Sequence, residues 1–300
     1  MKTLFSKCQK MRNIGATLVA VLVLVMVGML PQEATAGIAI TKHNLGSTGT
    51  GTNKFSGTDE ICVFCHTPHG ADTSAAVPLW NRVLPVPATY TTYNTLGTTS
   101  LDSATAPVGS VSIACLSCHD GTQAMNVMIN APGSGNYNAA GFTLSGTWTG
   151  PASGTTPTGS LGYASIVDIG IDLRNDHPVG VQYGGGMPSG GAYTAGTIAA
   201  GALKNADFNA LQYASLNGQP VWWVDSGTVA GTRDKGDMML YTRTNADSVS
   251  PTGVVTPAAL TGAQAFVECA SCHDPHTSAN PTFLRIANTG SAVCLACHNK

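Results

Sequence analysis

The chain has 300 residues, of which 43% are apolar and 10% are charged, and its formal net charge at pH 7 is −2. The apolar fraction and the low charge argue against intrinsic disorder, and the lack of a basic stripe argues against a nucleic-acid-binding protein. The sequence also has no glycine-rich phosphate loop with a lysine.

Residues 1–36 have the pattern of a secretory signal peptide. Basic residues precede the apolar run IGATLVAVLVLVMVGML, and Ala34-Thr35-Ala36 follows it as an A-x-A cleavage site. Cleavage would leave Gly37 first and would remove Cys8. No second apolar segment is long enough to span a membrane. We therefore expect an exported protein with no membrane span after signal cleavage.

Residues 37–130 are expected to form an N-terminal module that carries two copies of the pattern C-x-x-C-H. Motif 1 is CVFCH and motif 2 is CLSCH; their cysteines and histidines are Cys62, Cys65 and His66, and Cys115, Cys118 and His119. This pattern is typical of covalent c-type haem attachment. Apolar residues recur at near-helical spacing over residues 113–129, which predicts a helix there.

Residues 131–262 form a middle region rich in glycine, serine and threonine, with His177 as its one histidine. The alternation YASIVDIGIDL predicts a strand over residues 163–173. The runs PVWWVD and DMMLYT, residues 220–225 and 237–242, are predicted to pair as a hairpin. We interpret Trp222 and Trp223 as core or haem-packing residues rather than electron relays.

Residues 263–300 are expected to form a C-terminal module on short helical turns. Motif 3 is CASCH and motif 4 is CLACH; their cysteines and histidines are Cys269, Cys272 and His273, and Cys294, Cys297 and His298. In each motif the thiols would attach a haem and the histidine would be the proximal iron ligand. Zinc and dithiol sites also use C-x-x-C but do not require the histidine. Four copies therefore predict four covalently attached c-type haems.

Four further histidines, one for each iron, suggest that every haem has two histidine ligands; they are His43, His69, His177 and His276. Methionine is the competing axial ligand, but it is more often an apolar core residue. The methionines after the signal peptide are Met125, Met128, Met187, Met238 and Met239. With every coordination position filled, no iron could bind a substrate, so we expect an electron carrier rather than an enzyme.

His69 and His276 each follow a motif histidine by three residues. Two axial histidines of one iron have Cα atoms roughly 12 Å apart, since each Cα lies about 6 Å from a metal that is bound at about 2 Å. Three Cα steps span at most about 11 Å. His69 and His276 are therefore expected to bind haems other than those of their own motifs, and we predict close haem pairs for motifs 1 and 2 and for motifs 3 and 4.

The fold class expected from these features is a loop-rich multihaem cytochrome c with short helices and a few short strands. The 35 glycines and 16 prolines favour loops. Four haems in a chain of this length would form much of its core.

The segments CHTPHG, NDHPVG and VECASCHDPH resemble those of small-residue-rich multihaem cytochromes. The run TKHNLGSTGTGTNKFSGTDEICVFCHTPHG, with AVPLWNR and CLSCHDGT, is similar to the OmcE-like extracellular tetrahaem c-type cytochromes, the cytochrome nanowire family. This resemblance implies subunits that stack head to tail into a filament, with one axial histidine donated to the neighbouring subunit. His43, on a Gly/Thr-rich arm, is the best donor; alternatively, it folds back onto its own subunit.

The function implied is extracellular electron transfer, with redox partner cytochromes as donors and extracellular acceptors such as metal oxides or electrodes. The location implied is extracellular or at the cell surface, with the periplasm as the alternative. Two other functions stay open: a soluble periplasmic electron shuttle, and a multihaem reductase in which one iron is five-coordinate.

Overall fold

The computed structural model describes residues 37–97, 101, 103–133, 135–162, 165–176, 178–185, 196–198, 203–217, 219–226, 231–243 and 264–299. The described helices are short. The α-helices are α1 (Ser110–His119), α2 (Cys269–Cys272) and α3 (Ala292–Cys297). The 3₁₀-helices are Gly37–Ile40, Cys62–Phe64, Pro87–Thr89, Tyr93–Thr95, Pro151–Gly154, Leu173–Asn175, Pro281–Phe283 and Thr289–Ser291. The prediction of short helical turns in residues 263–300 is confirmed.

The helix predicted over residues 113–129 is right for its first half only. α1 ends at His119, and Gly121 adopts a left-handed φ of +70°. The Asp120 carboxylate accepts hydrogen bonds from the backbone N–H and the hydroxyl of Thr122, both at 2.9 Å. This local turn competes with the helix and stops it. The chain then enters a strand at Val127, where the sequence predicted continued helix.

The described residues contain ten strands, where the sequence predicted a few. They are β1 (Lys54–Phe55), β2 (Val127–Asn130), β3 (Tyr137–Thr143), β4 (Trp148–Thr149), β5 (Val181–Gly185), β6 (Gly196–Ile198), β7 (Leu211–Leu216), β8 (Gln219–Val224), β9 (Met238–Arg243) and β10 (Gln264–Val267). β1 pairs with β4 and β2 with β3. The other six form one antiparallel sheet in the order β5-β10-β9-β8-β7-β6.

The predicted hairpin is confirmed, because β8 and β9 are antiparallel neighbours with Trp222 opposite Leu240 and Val224 opposite Met238. Trp222 and Trp223 are both buried, as expected of core residues. β10, directly before motif 3, lies between β5 and β9, so the sheet combines strands of the middle region with one of the C-terminal region.

The strand predicted over residues 163–173 is wrong for the described part, residues 165–173. The backbone turns there, with Asp168 N–H donating to Ser165 O at 2.9 Å. Within the segment, Ile169 N–H donates to His119 O of motif 2 at 2.7 Å, and Leu173 N–H donates to Thr91 O at 2.9 Å in an isolated bridge rather than a strand. The apolar alternation therefore did not reflect a sheet face, and Ile166 is fully exposed.

Among the described residues, three large hydrophobic clusters form most of the interior, each with motif cysteines at its edge, and Ala106 and Phe266 form a small fourth one. The first core contains Leu45, Phe55, Val63, Phe64, Met125, Met128, Trp148, Ala152 and Leu161, with Cys65 and Cys118 packed against it. The second core contains Ala75, Trp80, Tyr90, Val108, Ile113, Ala114, Leu116, Leu173 and Val179, with Cys65 and Cys269 against it. The third core contains Tyr183, Leu211, Tyr213, Trp222, Val224, Met238, Leu240, Ala265 and Ala296, with Cys272 and Cys297 against it.

Candidate metal centre

Each motif lies on a helical turn, which brings its cysteines and histidine to one side. His66 N–H donates to Cys62 O at 2.7 Å and His298 N–H to Cys294 O at 2.9 Å, the bond pattern of one α-turn. Motif 2 is the last turn of α1, and motif 3 is α2 with the residue that follows it. Residues three and four apart share a helix face. The spacing C-x-x-C-H therefore presents two thiols and an imidazole together.

In motifs 1, 2 and 3, a backbone carbonyl fixes the orientation of each imidazole. Nδ1 of His66 lies 2.8 Å from Pro78 O, Nδ1 of His119 lies 2.8 Å from Val167 O, and Nδ1 of His273 lies 2.8 Å from Thr282 O. Because a carbonyl oxygen can only accept, each Nδ1 carries the proton. Nε2 is then the nitrogen with a free lone pair, which is the usual arrangement of metal-binding histidines.

Two pairs of imidazole rings come within about 6 Å of each other. The ring centres of His66 and His276 are 6.2 Å apart, and those of His43 and His119 are 6.1 Å apart. Two imidazoles on opposite sides of one metal have ring centres roughly 6 Å apart, from a nitrogen–metal distance of about 2 Å and about 1 Å from that nitrogen to the ring centre. Both distances therefore fit two histidine ligands of one iron.

His43 is fixed within its own chain. Its Nδ1 lies 3.3 Å from Pro275 O, and its ring stacks on Phe283 with ring centres 4.3 Å apart and planes at 9°. Burial, and next the neighbouring His119, lower the pKa of His43 to about 4. The imidazole is therefore neutral at pH 7, the form that binds a metal.

The other predicted axial histidines lie in different surroundings. His69 is exposed, and it has no imidazole neighbour among the residues that the structure describes. His298 is also exposed, and its ring contacts Phe208 with ring centres 5.2 Å apart. His177 lies outside the described residues.

The cysteines of consecutive motifs lie close together. Cys65 and Cys118 border the first core, and Cys272 and Cys297 border the third. The Cys115 thiol donates a hydrogen bond to the sulfur of Cys269, which raises the pKa of Cys115 and lowers that of Cys269. All eight motif cysteines are free thiols. They fit haem attachment, since none is used in a disulfide.

Glu268 connects motifs 2 and 3. Its carboxylate is buried and accepts from Arg243 Nε at 2.9 Å and from the Ser112 hydroxyl on α1. Ser112 Oγ in turn accepts from Cys269 N–H at 3.0 Å. Burial raises the pKa of Glu268, and the Arg243 charge opposes that rise.

Sequence reasoning missed several residues of the centre. Glu268 had one local signal, its position directly before Cys269. Pro78, Val167 and Thr282 had none, because they act through their backbone carbonyls. The ring of Phe283 was also missed, because it reaches His43 only through the tertiary fold.

The zinc alternative has no support in the geometry. Among the described residues, no three His, Cys, Asp or Glu side chains come together as a metal cage. Haem iron needs only two protein ligands, because the porphyrin supplies the other four. A pair of imidazoles can therefore supply both axial ligands of a haem iron.

Residues 263–300 match the doubled CXXCH motif. With the other motifs of the chain, this match indicates a multihaem c-type cytochrome, with covalently bound haem and a role in electron transfer. No curated protein matches the chain. Proteins of this class are typically exported, because their haem is attached outside the cytosol. Within the described residues, no helix has the length and apolar character needed to cross a membrane.

Proposed function

We propose that this protein is a secreted tetrahaem cytochrome that carries electrons outside the cell and assembles into a filament. The observation that carries the proposal is the pair of facing imidazole contacts, His66 with His276 and His43 with His119, at distances that fit iron ligation. Two histidines per iron leave no position for a substrate. When bound, such haems change oxidation state and pass single electrons to a neighbour.

We assign the ligands of two irons from these contacts. The haem of motif 1 is held by Cys62 and Cys65, with His66 and His276 as iron ligands. The haem of motif 2 is held by Cys115 and Cys118, with His119 and His43 as iron ligands. His276, three residues after the histidine of motif 3, ligates the first of these haems, which brings the haems of motifs 1 and 3 together.

The remaining two irons are attached by motifs 3 and 4, and they take His273 and His298 as proximal ligands. His69 and His177 are the two predicted axial histidines that remain for these irons, and His177 lies outside the described residues.

Of these two histidines, His69 is the one that we assign to the iron of motif 4. Its motif borders the first core, whereas motif 4 borders the third. His69 and His298 are both exposed. We therefore propose that His69 of one copy ligates the iron of motif 4 in the next copy. This replaces His43 as the donor to the neighbouring subunit, since His43 faces His119 of its own chain.

Such a contact joins two different surfaces, so it continues as a filament unless rotation closes a ring. Each added copy would complete the coordination of one iron at the junction. Redox partner cytochromes would supply electrons at one end of the filament. Extracellular acceptors would receive these electrons at positions along the filament or at its other end.

The test compares the variants His69→Ala and His276→Ala in the haem-loaded, secreted protein. We expect His69→Ala to give single copies in which one haem of four is high-spin and binds carbon monoxide, because its iron lacks the neighbour's ligand. We expect His276→Ala to free one iron as well but to keep filaments, because that ligand is internal. Electron microscopy and absorption spectra measure both effects.

Filaments of His69→Ala with unchanged low-spin spectra would refute the assignment of His69. Wild-type protein that stays monomeric at high concentration with all four haems low-spin would identify a soluble shuttle. One high-spin, carbon monoxide-binding haem in the wild-type filament would instead indicate a reductase.

A further inference from the structure

Arg82 is a fully buried arginine beside motifs 1 and 2. Its five N–H groups all have acceptors. Nε donates to Ser117 Oγ at 3.3 Å, and Nη1 donates to Met125 O at 2.8 Å and to Val127 O at 2.9 Å. Nη2 donates to Ser117 O at 2.8 Å, to Gln123 Oε1 at 2.7 Å and to Ala124 O at 3.1 Å. The guanidinium is thus saturated with hydrogen bonds.

None of these acceptors is charged. Within the described residues, the ion pairs involve other groups and leave the Arg82 charge without a carboxylate. A haem propionate could not supply one directly, because no N–H is left to donate and the side chain is sealed from the surface. Arginine does not lose its proton in proteins. The buried positive charge is therefore permanent, and among the described residues it has no carboxylate in direct contact. The buried carboxylate of Asp120, next to motif 2, hydrogen-bonds to Tyr90 and Thr122 instead, and its charge acts in the opposite direction there.

This charge lies where motifs 1 and 2 meet. Ser117 is a spacer residue of motif 2. The residue before Arg82, Asn81, donates through its side chain to Val63 O of motif 1 at 2.6 Å and through its backbone N–H to Cys65 O at 2.9 Å. Arg82 and the residue before it therefore hydrogen-bond directly to residues of both motifs.

A second buried arginine shows the contrast. Arg243 lies near motifs 2 and 3, and its Nη2 is 2.8 Å from Glu268 Oε1. That pair is neutral overall. Arg243 thus has a carboxylate in direct contact, whereas Arg82 has none among the described residues.

We propose that Arg82 is a fixed charge that raises the reduction potentials of the haems attached to motifs 1 and 2. Reduction adds an electron to a haem, so a nearby positive charge stabilises the reduced form. A unit charge about 10 Å away at an effective dielectric constant near 20 changes such an equilibrium by roughly tenfold. The inference rests on the proposed function, because it requires haems at both motifs.

Potentials that are resolved for each haem, measured by spectroelectrochemical titration with paramagnetic NMR, test the proposal. Arg82→Gln removes the charge, and we expect it to lower the potentials at motifs 1 and 2 by about the 59 mV that corresponds to a tenfold change for one electron. Arg82→Lys keeps the charge but loses the planar hydrogen-bonding fork, so it should destabilise the fold and leave these potentials near the wild-type values.

Gln123→Glu is the variant that keeps Arg82 and the fold. It replaces the amide oxygen that accepts from Nη2 by a carboxylate of the same shape and so neutralises the guanidinium in place. We expect lower potentials at motifs 1 and 2 with unchanged or higher stability. The matched control, Arg243→Gln with Glu268→Gln, removes a neutral pair and should shift the potentials far less.

Unchanged potentials in Gln123→Glu would overturn the proposal, as would equal shifts in Arg82→Lys and Arg82→Gln, which would show a structural role alone. If Arg82→Gln does not fold, the Gln123→Glu result decides. The haem content and low-spin spectrum of the same samples report separately on the proposed function.

Discussion

Motifs 3 and 4 have the same spacing and both lie on short α-helices, yet their helices begin in opposite ways. Before α2, Glu268 has an extended backbone, and its side chain and that of Ser271 form a reciprocal capping box. Before α3, Ser291 adopts a left-handed φ of 64° and gives no side-chain cap. Glu268 is buried, whereas Ser291 is exposed.

Motif 3 also has more contacts with the other motifs than motif 4 has. The segment of motif 3 contacts both N-terminal motifs, because Cys269 accepts from Cys115, and His276 faces His66. Motif 4 borders the third core, and its histidine is exposed. Under the proposed function, both motifs attach a haem, and the neighbouring residues place the haem of motif 3 centrally and that of motif 4 at an edge. An edge position is what a junction between copies needs.

The largest loss of stability is expected when Glu268, which connects motifs 2 and 3, is replaced. Glu268→Ala removes the cap of α2 and leaves Arg243 buried without its partner, which typically costs about 3–5 kcal/mol. We expect the midpoint of urea unfolding, followed by far-UV circular dichroism, to fall accordingly.

The double variant Arg243→Met with Glu268→Gln is the control, because it removes both charges and leaves none unpaired. It should recover most of the lost stability. A loss below about 1 kcal/mol in Glu268→Ala would mean that Arg243 finds another partner, and that the capping pair does not hold motif 3.

Much of the local structure could be predicted from the sequence, because it depends on neighbouring residues. The C-x-x-C-H spacing gave the helical turns, and the apolar runs gave the β8–β9 hairpin. The contact of His66 with His276 could not be predicted, since it joins distant parts of the chain through the tertiary fold. At residues 165–173, by contrast, a local pattern predicted an element that the fold does not contain. Their apolar alternation predicted a strand, but the segment turns and supplies the Val167 carbonyl that orients His119.

A smaller loss of stability is expected near motif 4, where Asn209 holds α3 against the six-stranded sheet. Its side-chain amide donates to Leu295 O at 2.9 Å and to Ala296 O at 3.0 Å, while its backbone N–H donates to Cys297 O at 2.9 Å. Asn209→Ala removes the two side-chain bonds and should cost about 1–3 kcal/mol, since each such bond contributes about 0.5–1.5 kcal/mol.

Asn209→Asp is the matched control, because it keeps the shape but cannot donate. Thermal unfolding should place both variants below the wild type, with faster hydrogen exchange confined to residues around motif 4. Equal exchange rates around motifs 3 and 4 would show that the two regions unfold as one, and would contradict a difference in local stability between them.

The smallest effect is a gain in stability at the start of α3. A left-handed backbone costs a residue with a side chain about 1–2 kcal/mol, and glycine avoids this cost but loses about 0.5–1 kcal/mol through its freer unfolded chain. Ser291→Gly should therefore stabilise the protein by about 0.5 kcal/mol, the difference of these two effects. Ser291→Val should destabilise it, because a β-branched side chain tolerates this φ least.

The equivalent change before α2, Glu268→Gly, should be strongly destabilising, because that backbone is already extended and its carboxylate is needed. If Ser291→Gly lowers the unfolding midpoint, the left-handed start of α3 is not a strained one, and the contrast between the two helix starts reduces to the capping carboxylate alone.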